Sequence, residues 1–369
     1  MSQAPLPPPY DTLPDAEISE RIEVARQKLA SRLVILGHHY QRDEIVRHAD
    51  FLGDSFKLCV DANRRPEAEF IIFCGVHFMA ESADILTDKR VILPNLAAGC
   101  SMADMANIFQ VRNAWKKLAE VLGPLEDGKM VPVTYINSAA SLKAFVGAYG
   151  GTVCTSTNAP VAVQWALDRA EKVLFFPDQH LGRNTAVKLG FHAERDTLVW
   201  DPFKPLGGNT VERLQEAKFI LWKGHCSVHK RFTVDQIAKA RQDHPSVRVM
   251  VHPECELEVV RVADCNGSTE AILRTVTESE PGSVWAIGTE INLVSRLAKN
   301  NPDKTIFCLD PQICPCSTMY RVHPSYLCWV IENLADGNVL NEIIVDPETK
   351  ALAKVALDRM LALPPVAPK

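Results

Sequence analysis

The chain repeats the same order of features three times, and this repeat constrains the fold more than any other property of the sequence. A β-branched strand ends in polar side chains, a turn containing Ser follows, a second strand ends in another polar cluster, and a third strand leads into a cysteine loop. The polar groups that end the three first strands are His38-His39-Tyr40, Tyr135-Ile136-Asn137 and His252-Pro253-Glu254. Such repetition predicts a chain built from three related structural units.

Nine short apolar runs predict buried parallel strands. They are RLVILGHHY, EFIIFCGV, RVILPN, MVPVTYIN, KVLFFPD, TLVWD, RVMVHPE, SVWAIGTE and TIFCLD. The runs alternate with helical patterns such as DEIVRHADFLGDSFKLCVDANRR and VERLQEAKFILW. Strands and helices that alternate in this way favour an α/β fold with parallel sheets.

The length of the chain, 369 residues, favours more than one domain. We expect three α/β domains over residues 23–112, 113–207 and 208–322, and C-terminal helices over 323–369 that pack back on the core. The Pro-rich start of the chain predicts a disordered arm over residues 1–22.

Charge and hydropathy exclude several classes of partner. The net charge is −5, from 40 basic and 45 acidic residues, and no compact basic run provides a nucleic-acid surface. No apolar stretch approaches the roughly 20 residues that a membrane span requires. The first residues lack the basic and apolar regions of a signal peptide. We therefore expect a cytosolic protein with neither a nucleic-acid partner nor a membrane partner.

The eleven cysteines fall into groups with different expected roles. A reducing cytosol and an odd count disfavour structural disulfides, so most of the thiols should be buried side chains or metal ligands. Those expected in the core, because they lie in apolar strands or helices, are Cys59, Cys74, Cys308 and Cys328. Those that lie beside Gly or Pro in polar loops, where packing does not explain them, are Cys100, Cys226, Cys314 and Cys316.

The strand ends and the cysteine loops predict a shared site. Ligands of parallel α/β units bind outside the carboxyl ends of the strands, so three units facing one another would direct these groups into one cavity. Shared turn chemistry alone would explain the Gly and Ser residues of the repeat. It would not explain why His, Tyr, Asn, Glu and Cys recur at the strand ends.

One cysteine from each third of the chain leaves a metal centre with an open position. The sequence contains no Cys-x2-Cys pair of the kind that zinc sites commonly use. Iron–sulfur clusters usually take four thiolates, and a cluster with three protein ligands has one iron that can bind substrate oxygens as a Lewis acid. Two other functions could use one cysteine from each third of the chain as metal ligands. They are a zinc hydrolase and an iron–sulfur redox sensor.

A set of motifs spread over residues 20 to 360 resembles the quinolinate synthase family of de novo NAD biosynthesis. The motifs are GHHY followed by GDS, GVHFMAESADILTDKRVILP, AGCSMAD, YINSAA, CTSTNA, FFPDQHLGRN, GHCSVH, VHPE, NGSTEAI, GTE and CPCSTM. The resemblance implies three related α/β/α domains with short parallel sheets, in a pseudo-threefold arrangement around a central active site. It also implies a [4Fe-4S] cluster held by one cysteine from each domain.

The resemblance assigns the cysteine ligands one by one. Cys100 in AAGCSMAD and Cys226 in GHCSVH match family ligands directly. The third ligand of the family is followed by two residues and then Met, and Cys316 with Met319 fits that frame, whereas Cys314 does not. We therefore expect Cys316 to be the ligand and Cys314 to be a neighbouring thiol.

The activity that the resemblance implies is a transferase reaction. Iminoaspartate and dihydroxyacetone phosphate condense to quinolinate, phosphate and two waters are released, and a transient contact with the enzyme that produces iminoaspartate is expected. Candidate phosphate-binding hydroxyls are Ser55, Ser156 and Thr269. Candidate ligands of the substrate carboxylates are His38, Tyr135, Asn137 and His252. Glu254 is a candidate both for binding the substrates and for the role of general base, in which Tyr40 and His38 assist it.

Overall fold

The fold class predicted from the sequence is confirmed in the computed structural model, which describes residues 3–312 and 315–364. The strands are β1 (Leu33–His38), β2 (Phe51–Gly53), β3 (Phe70–Cys74), β4 (Arg90–Ile92), β5 (Met130–Tyr135), β6 (Thr152–Cys154), β7 (Lys172–Phe176), β8 (Thr197–Trp200), β9 (Phe219–Trp222), β10 (Arg248–Val251), β11 (Cys265–Asn266), β12 (Val284–Gly288), β13 (Thr305–Cys308) and β14 (Glu342–Ile343). All nine predicted strands are present.

Helices separate most of these strands, as an α/β chain requires. They are α1 (Asp15–Leu29), α2 (Asp43–Val46), α3 (Ser55–Asp61), α4 (His77–Leu86), α5 (Ile108–Leu122), α6 (Ala140–Ala148), α7 (Ala159–Leu167), α8 (Gln179–Lys188), α9 (Val211–Glu216), α10 (Val234–Asp243), α11 (Leu257–Val262), α12 (Thr269–Thr277), α13 (Ile291–Asn300), α14 (Pro324–Ala335) and α15 (Pro347–Ala362).

The strands form three separate sheets. Their strand orders are β14-β4-β3-β1-β2, β6-β5-β7-β9-β8 and β11-β10-β12-β13. Every pairing is parallel except that of β14 with β4. Strands β1 and β5 are buried along their whole length, which explains why most of their residues are apolar. The polar residues that follow them therefore lie at the carboxyl ends of parallel strands.

Contacts within the chain divide it into two compact units. The first unit takes its described residues from the ranges 1–100, 290–296 and 313–346, and contains the first sheet. The second unit takes its described residues from the ranges 101–289, 297–312 and 347–369, and contains the other two sheets. The domain boundaries expected from the repeat remain a prediction.

Two predicted helical patterns are only partly helical. The stretch from Asp43 to Arg65 contains α2, then β2 and α3. Helix α3 begins where the carboxylate of Asp54 accepts the N–H of Lys57 at 2.9 Å, an N-cap inside the pattern. In VERLQEAKFILW, only α9 is helical and the apolar end is strand β9. A buried apolar run of four residues has no periodicity that distinguishes a strand from a helix.

The N-terminal arm is ordered over part of the range predicted to be disordered. Helix α1 begins at Asp15 and buries Ile18 and Ile22 against the first unit, where it packs on α14. Tyr10 also donates a hydrogen bond to Glu332 of α14 at 2.6 Å. The Pro-rich composition describes the first dozen residues, whereas the apolar spacing after them produces an amphipathic helix.

The last helix packs closely on the second unit. Helix α15 lies against α6, and Gly147 of α6 faces the backbone of α15. A Cβ at Gly147 would lie 2.0 Å from the carbonyl oxygen of Leu352. Only glycine permits this approach, so the position is fixed by packing between helices.

Gly147→Ala is therefore expected to destabilise the protein by about 1–3 kcal/mol, as overpacking does. The same change in an exposed helix would stabilise it by roughly 1 kcal/mol through helix propensity. Thermal unfolding followed by circular dichroism would measure the difference, with Ala148→Ser, at an exposed position in α6, as the control. A melting temperature that rises in Gly147→Ala would show that the two helices do not approach each other in this way.

Candidate functional site

A cluster of buried polar side chains lies at the carboxyl ends of β5 and β10 in the second unit. Tyr135 ends β5, and its hydroxyl donates a hydrogen bond to Oε1 of Glu254 at 2.6 Å. The other carboxylate oxygen, Oε2, lies 2.8 Å from Nδ1 of His229. The imidazole of His229 stacks on that of His252, with ring centroids 4.4 Å apart. The four side chains form one contiguous buried network.

Backbone contacts hold the network in place. His252 follows β10, and its N–H donates to the carbonyl oxygen of Gly288 at 3.0 Å. Its Nδ1 accepts the N–H of Glu254 at 3.3 Å, which leaves Nε2 as the hydrogen-bond donor of the neutral ring. His229 begins a 3₁₀ turn, and its Nε2 lies 3.1 Å from Oγ1 of Thr289. The network is thus preorganised before any substrate binds.

The buried surroundings shift the pKa values of two carboxyl groups in opposite directions. Burial raises the pKa of Asp178 well above its usual value, and the nearby charge of Glu254 raises it further. Burial also opposes ionisation of Glu254, but the charge and hydrogen bond of His229, with the hydrogen bond of Tyr135, hold its pKa well below the usual range. Burial therefore favours the protonated form of Asp178, whereas the contacts of Glu254 favour its ionised form.

Two of the nearby histidines are held neutral by burial. Burial is the main cause that lowers the pKa of His252 to about 3, and the charge of His229 is a smaller one. Burial likewise lowers the pKa of His180, at the start of α8, to about 4. A neutral His252 donates a hydrogen bond through Nε2 without adding a positive charge, so it suits recognition of a carboxylate rather than proton delivery.

The loop that carries Cys226 is held against α8. Asp178 forms an isolated parallel bridge with Gly224, and the N–H of Gln179 donates to the carbonyl oxygen of Gly224 at 3.0 Å. A Cβ at Gly224 would lie 2.2 Å from the carbonyl oxygen of Pro177, so the loop approaches as closely as glycine allows. Cys226 is half-buried after this turn. Its Sγ lies within 4.8 Å of ligand atoms of His229 and Glu254.

The remaining predicted residues of the second unit lie at strand ends and helix starts. Asn137 follows β5, and its buried Oδ1 has no hydrogen-bond partner among residues 3–312 and 315–364. Ser156 is half-buried in the turn between β6 and α7. Thr269 is the buried first residue of α12, after the N-cap Ser268. A buried acceptor without a partner is uncommon, which makes Asn137 a candidate contact for a polar ligand.

In the first unit, the structure brings His38 and Tyr40 together. Their rings meet edge to face with centroids 4.7 Å apart, and the N–H of Tyr40 donates to Nδ1 of His38 at 3.1 Å. Ser55 is the half-buried first residue of α3, after the N-cap Asp54. His38 ends β1, and its neighbour His39 donates its N–H to the carbonyl oxygen of Gly53. These contacts fix the direction of the strand end from which His38 and Tyr40 project.

Two other cysteine loops lie in the first unit. Cys100 is half-buried, and the neighbouring Ala98 accepts the N–H of His77 at 2.8 Å. Cys316 is also half-buried, and its N–H donates to Oε1 of Glu290 at 3.3 Å. Burial raises the pKa of Glu290 to about 7. Cys314 lies outside the described residues.

The loop cysteines differ from those of the core. Cys59, Cys74 and Cys328 are buried, as the sequence predicted, and Cys308 is half-buried at the end of β13. Burial raises the pKa of Cys74 to about 12, which disfavours its thiolate. Metal ligation requires the thiolate, so the half-buried loop positions are the ones suited to it.

His229 and Asp178 were not assigned from the sequence, although both belong to the network around Glu254. The signal for His229 was the Cys226-x2-His229 spacing within GHCSVH, a common separation between metal-binding or active-site residues. The signal for Asp178 was its place directly after β7, at the same sheet edge as Tyr135.

These features define a class of protein: an α/β protein with a buried acid–base network and cysteine loops at the carboxyl ends of its parallel strands. The model of one family, described as "Quinolinate synthetase A protein", matches residues 20–362. The chain belongs to this family. Membership favours neither the zinc hydrolase nor the redox sensor considered above.

Several relatives named quinolinate synthase match nearly the whole chain. One from Corynebacterium glutamicum is 56% identical over 99% of this chain and 92% of its own length. One from Herpetosiphon aurantiacus is 55% identical over 96% of this chain and 94% of its own length. One from Streptomyces coelicolor is 55% identical over 95% of this chain and 89% of its own length.

The helices also bear on membrane association. Within residues 3–312 and 315–364, no helix has both the length and the apolar character that a bilayer span requires.

Proposed function

We propose that the protein is a quinolinate synthase that condenses iminoaspartate with dihydroxyacetone phosphate. The products are quinolinate, one phosphate and two waters, which account for every atom of the two substrates. The observation that carries the proposal is the Tyr135–Glu254–His229 network, found in a chain that the family model matches over residues 20–362. The reaction class is that of a transferase.

Recognition of the substrates falls to the strand ends and helix starts. Ser55, Ser156 and Thr269 lie at or before the first turns of α3, α7 and α12, where hydroxyls and unpaired backbone N–H groups bind phosphate. The substrate carboxylates are bound by donors from the side chains of His38, Tyr135, Asn137 and His252.

Glu254 is the proposed general base. Forming the aromatic ring requires removal of protons from carbon atoms adjacent to imine and carboxylate groups, and an ionised carboxylate can accept them. The pKa of Glu254 is low in the substrate-free protein. An anionic substrate beside it would raise that pKa toward neutrality, because like charges disfavour the ionised form. In the substrate-free protein, the Tyr135 hydroxyl and Nδ1 of His229 orient the Glu254 carboxylate.

Tyr40 and His38 are proposed to assist proton transfer from the first unit. The N–H of Tyr40 donates to Nδ1 of His38, so Nε2 of that imidazole carries the proton and is the donor. The Tyr40 hydroxyl can both donate and accept a proton during the dehydration steps.

Cys100, Cys226 and Cys316 are the proposed ligands of a [4Fe-4S] cluster. Their half-buried loop positions fit thiolate ligation, whereas burial in the core raises the pKa of Cys74 to about 12. When bound, a cluster with three protein ligands supplies an open iron that acts as a Lewis acid for the departing hydroxyl. Imines hydrolyse readily in water, which supports a transient contact with the enzyme that produces iminoaspartate.

The proposal is tested by an anaerobic assay of the iron-loaded protein with dihydroxyacetone phosphate and iminoaspartate generated in situ. We expect quinolinate and phosphate to form in equal amounts. Phosphate release without quinolinate would indicate a different reaction, and absence of both products from protein with about four irons and four sulfides would overturn the proposal.

Ser156→Ala is expected to raise KM for dihydroxyacetone phosphate about 10-fold or more, because a hydrogen bond to a charged group contributes about 1.5–3 kcal/mol. Little change is expected in kcat. Steady-state kinetics would measure both, with Ser246→Ala, at an exposed position before β10, as the control. A variant with unchanged KM would remove Ser156 from the phosphate site.

A further inference from the structure

We propose that Cys226, His229 and Glu254 form a binding site for a divalent zinc-type ion in protein that lacks the cluster. The ion and the cluster then compete for Cys226. The competition rests on the proposed function, whereas binding of the ion does not depend on it.

The three ligand atoms already lie near one another. Sγ of Cys226, a ring nitrogen of His229 and a carboxylate oxygen of Glu254 are all within 4.8 Å. A thiolate, an imidazole and a carboxylate are the ligand types that zinc uses, at about 2.0–2.3 Å from the metal. Small rotations of side chains bring atoms at these separations around one tetrahedral ion, and solvent can take the fourth position.

Neighbouring groups hold the two buried ligands in orientations suited to a metal. Nε2 of His229 faces Oγ1 of Thr289 at 3.1 Å, and Oε1 of Glu254 accepts the Tyr135 hydroxyl at 2.6 Å. With Nε2 protonated and donating to Thr289, Nδ1 presents its lone pair. The second carboxylate oxygen, Oε2, lies 2.8 Å from Nδ1 on the same side. Hydrogen bonds of this kind orient and fix metal-ligating His and carboxylate groups in known sites.

Charge balance favours a divalent ion here. The Cys226 thiolate and the Glu254 carboxylate together neutralise a charge of +2 in a buried setting, where an unbalanced charge is costly. Zinc binds the thiolate of Cys226, so binding releases the proton of that thiol. Cys226 is half-buried, so the ion can reach the three ligands from the side on which Cys226 lies.

Co²⁺ titration of iron-free full-length protein under anaerobic conditions tests the proposal. We expect one equivalent to bind with a thiolate-to-cobalt absorption band and the visible bands of a tetrahedral ion. His229→Gln is expected to weaken binding at least 10-fold, and Cys226→Ala to abolish the thiolate band. Cys316→Ala is the matched control, because it removes a proposed cluster ligand and should leave the cobalt spectrum unchanged.

X-ray absorption of the zinc-loaded wild type gives a second answer that does not depend on the folding of variants. One sulfur and two or three nitrogen or oxygen ligands are expected. Three sulfur ligands, or a cobalt spectrum lost in Cys316→Ala, would overturn the inference, as would absence of binding to wild type. If any of these is found while the cluster-loaded protein forms quinolinate, the zinc site fails and the proposed function stands.

Discussion

The Cys316→Ala variant is expected to purify anaerobically without iron or sulfide, whereas the wild type should carry about four of each. Removing one of three protein thiolates leaves an iron of the cluster without its ligand, and a cluster held by two thiolates is readily lost. Quinolinate formation should fall below detection when the cluster is lost. Metal analysis, sulfide analysis and the absorbance near 400 nm would measure the loss.

Two control variants make this result specific to Cys316. Cys265→Ala changes a half-buried cysteine on β11, outside the three loops, and should keep its iron. Cys314→Ala should also keep its iron, since only Cys316 fits the family spacing to Met319. Loss of the cluster in Cys314→Ala, with retention in Cys316→Ala, would make Cys314 the third ligand. Zinc without sulfide in the wild type would overturn the iron–sulfur proposal.

Most of the strands could be predicted from the sequence because a strand buried on both faces consists mainly of apolar residues. Strands β1, β3, β5 and β7 are wholly buried, so each consists mainly of apolar residues. The strands it missed are short, such as β11 with two residues, or lie within a helical pattern, as β9 does. Their existence depends on pairing with neighbours distant in sequence, which no local pattern records.

The candidate residues of the site were chosen from the sequence for a related reason. Tyr135 was chosen because it ends a recognisable strand and Glu254 because it follows one, although the hydrogen bond between them joins residues 119 positions apart. His229 begins a short 3₁₀ turn after a missed strand, so no strand end pointed to it. The opposite pKa shifts of Asp178 and Glu254 depend on burial and on nearby charges, which are properties of the folded chain.

The Glu254→Gln variant is expected to lower kcat by about 10²–10⁴, the usual contribution of general acid–base catalysis. The amide keeps the size of the side chain and still accepts the Tyr135 hydroxyl, but it cannot take up a proton. KM for both substrates should change much less, because the donors of His252 and Asn137 remain. Anaerobic steady-state kinetics at saturating substrate would measure the effect, with iron content as a check that the cluster is retained.

Comparison with nearby variants separates catalysis from structure. Glu258→Gln, at an exposed position in α11, should leave kcat unchanged. Tyr135→Phe removes the hydrogen bond to Oε1 while keeping the carboxylate, so its kcat should fall by about 10-fold, the effect of a bond of about 1.5 kcal/mol. A Glu254→Gln enzyme that retains wild-type kcat and shows only a raised KM would make Glu254 a substrate-binding group. The base would then have to be sought among Tyr40, His38 and His229.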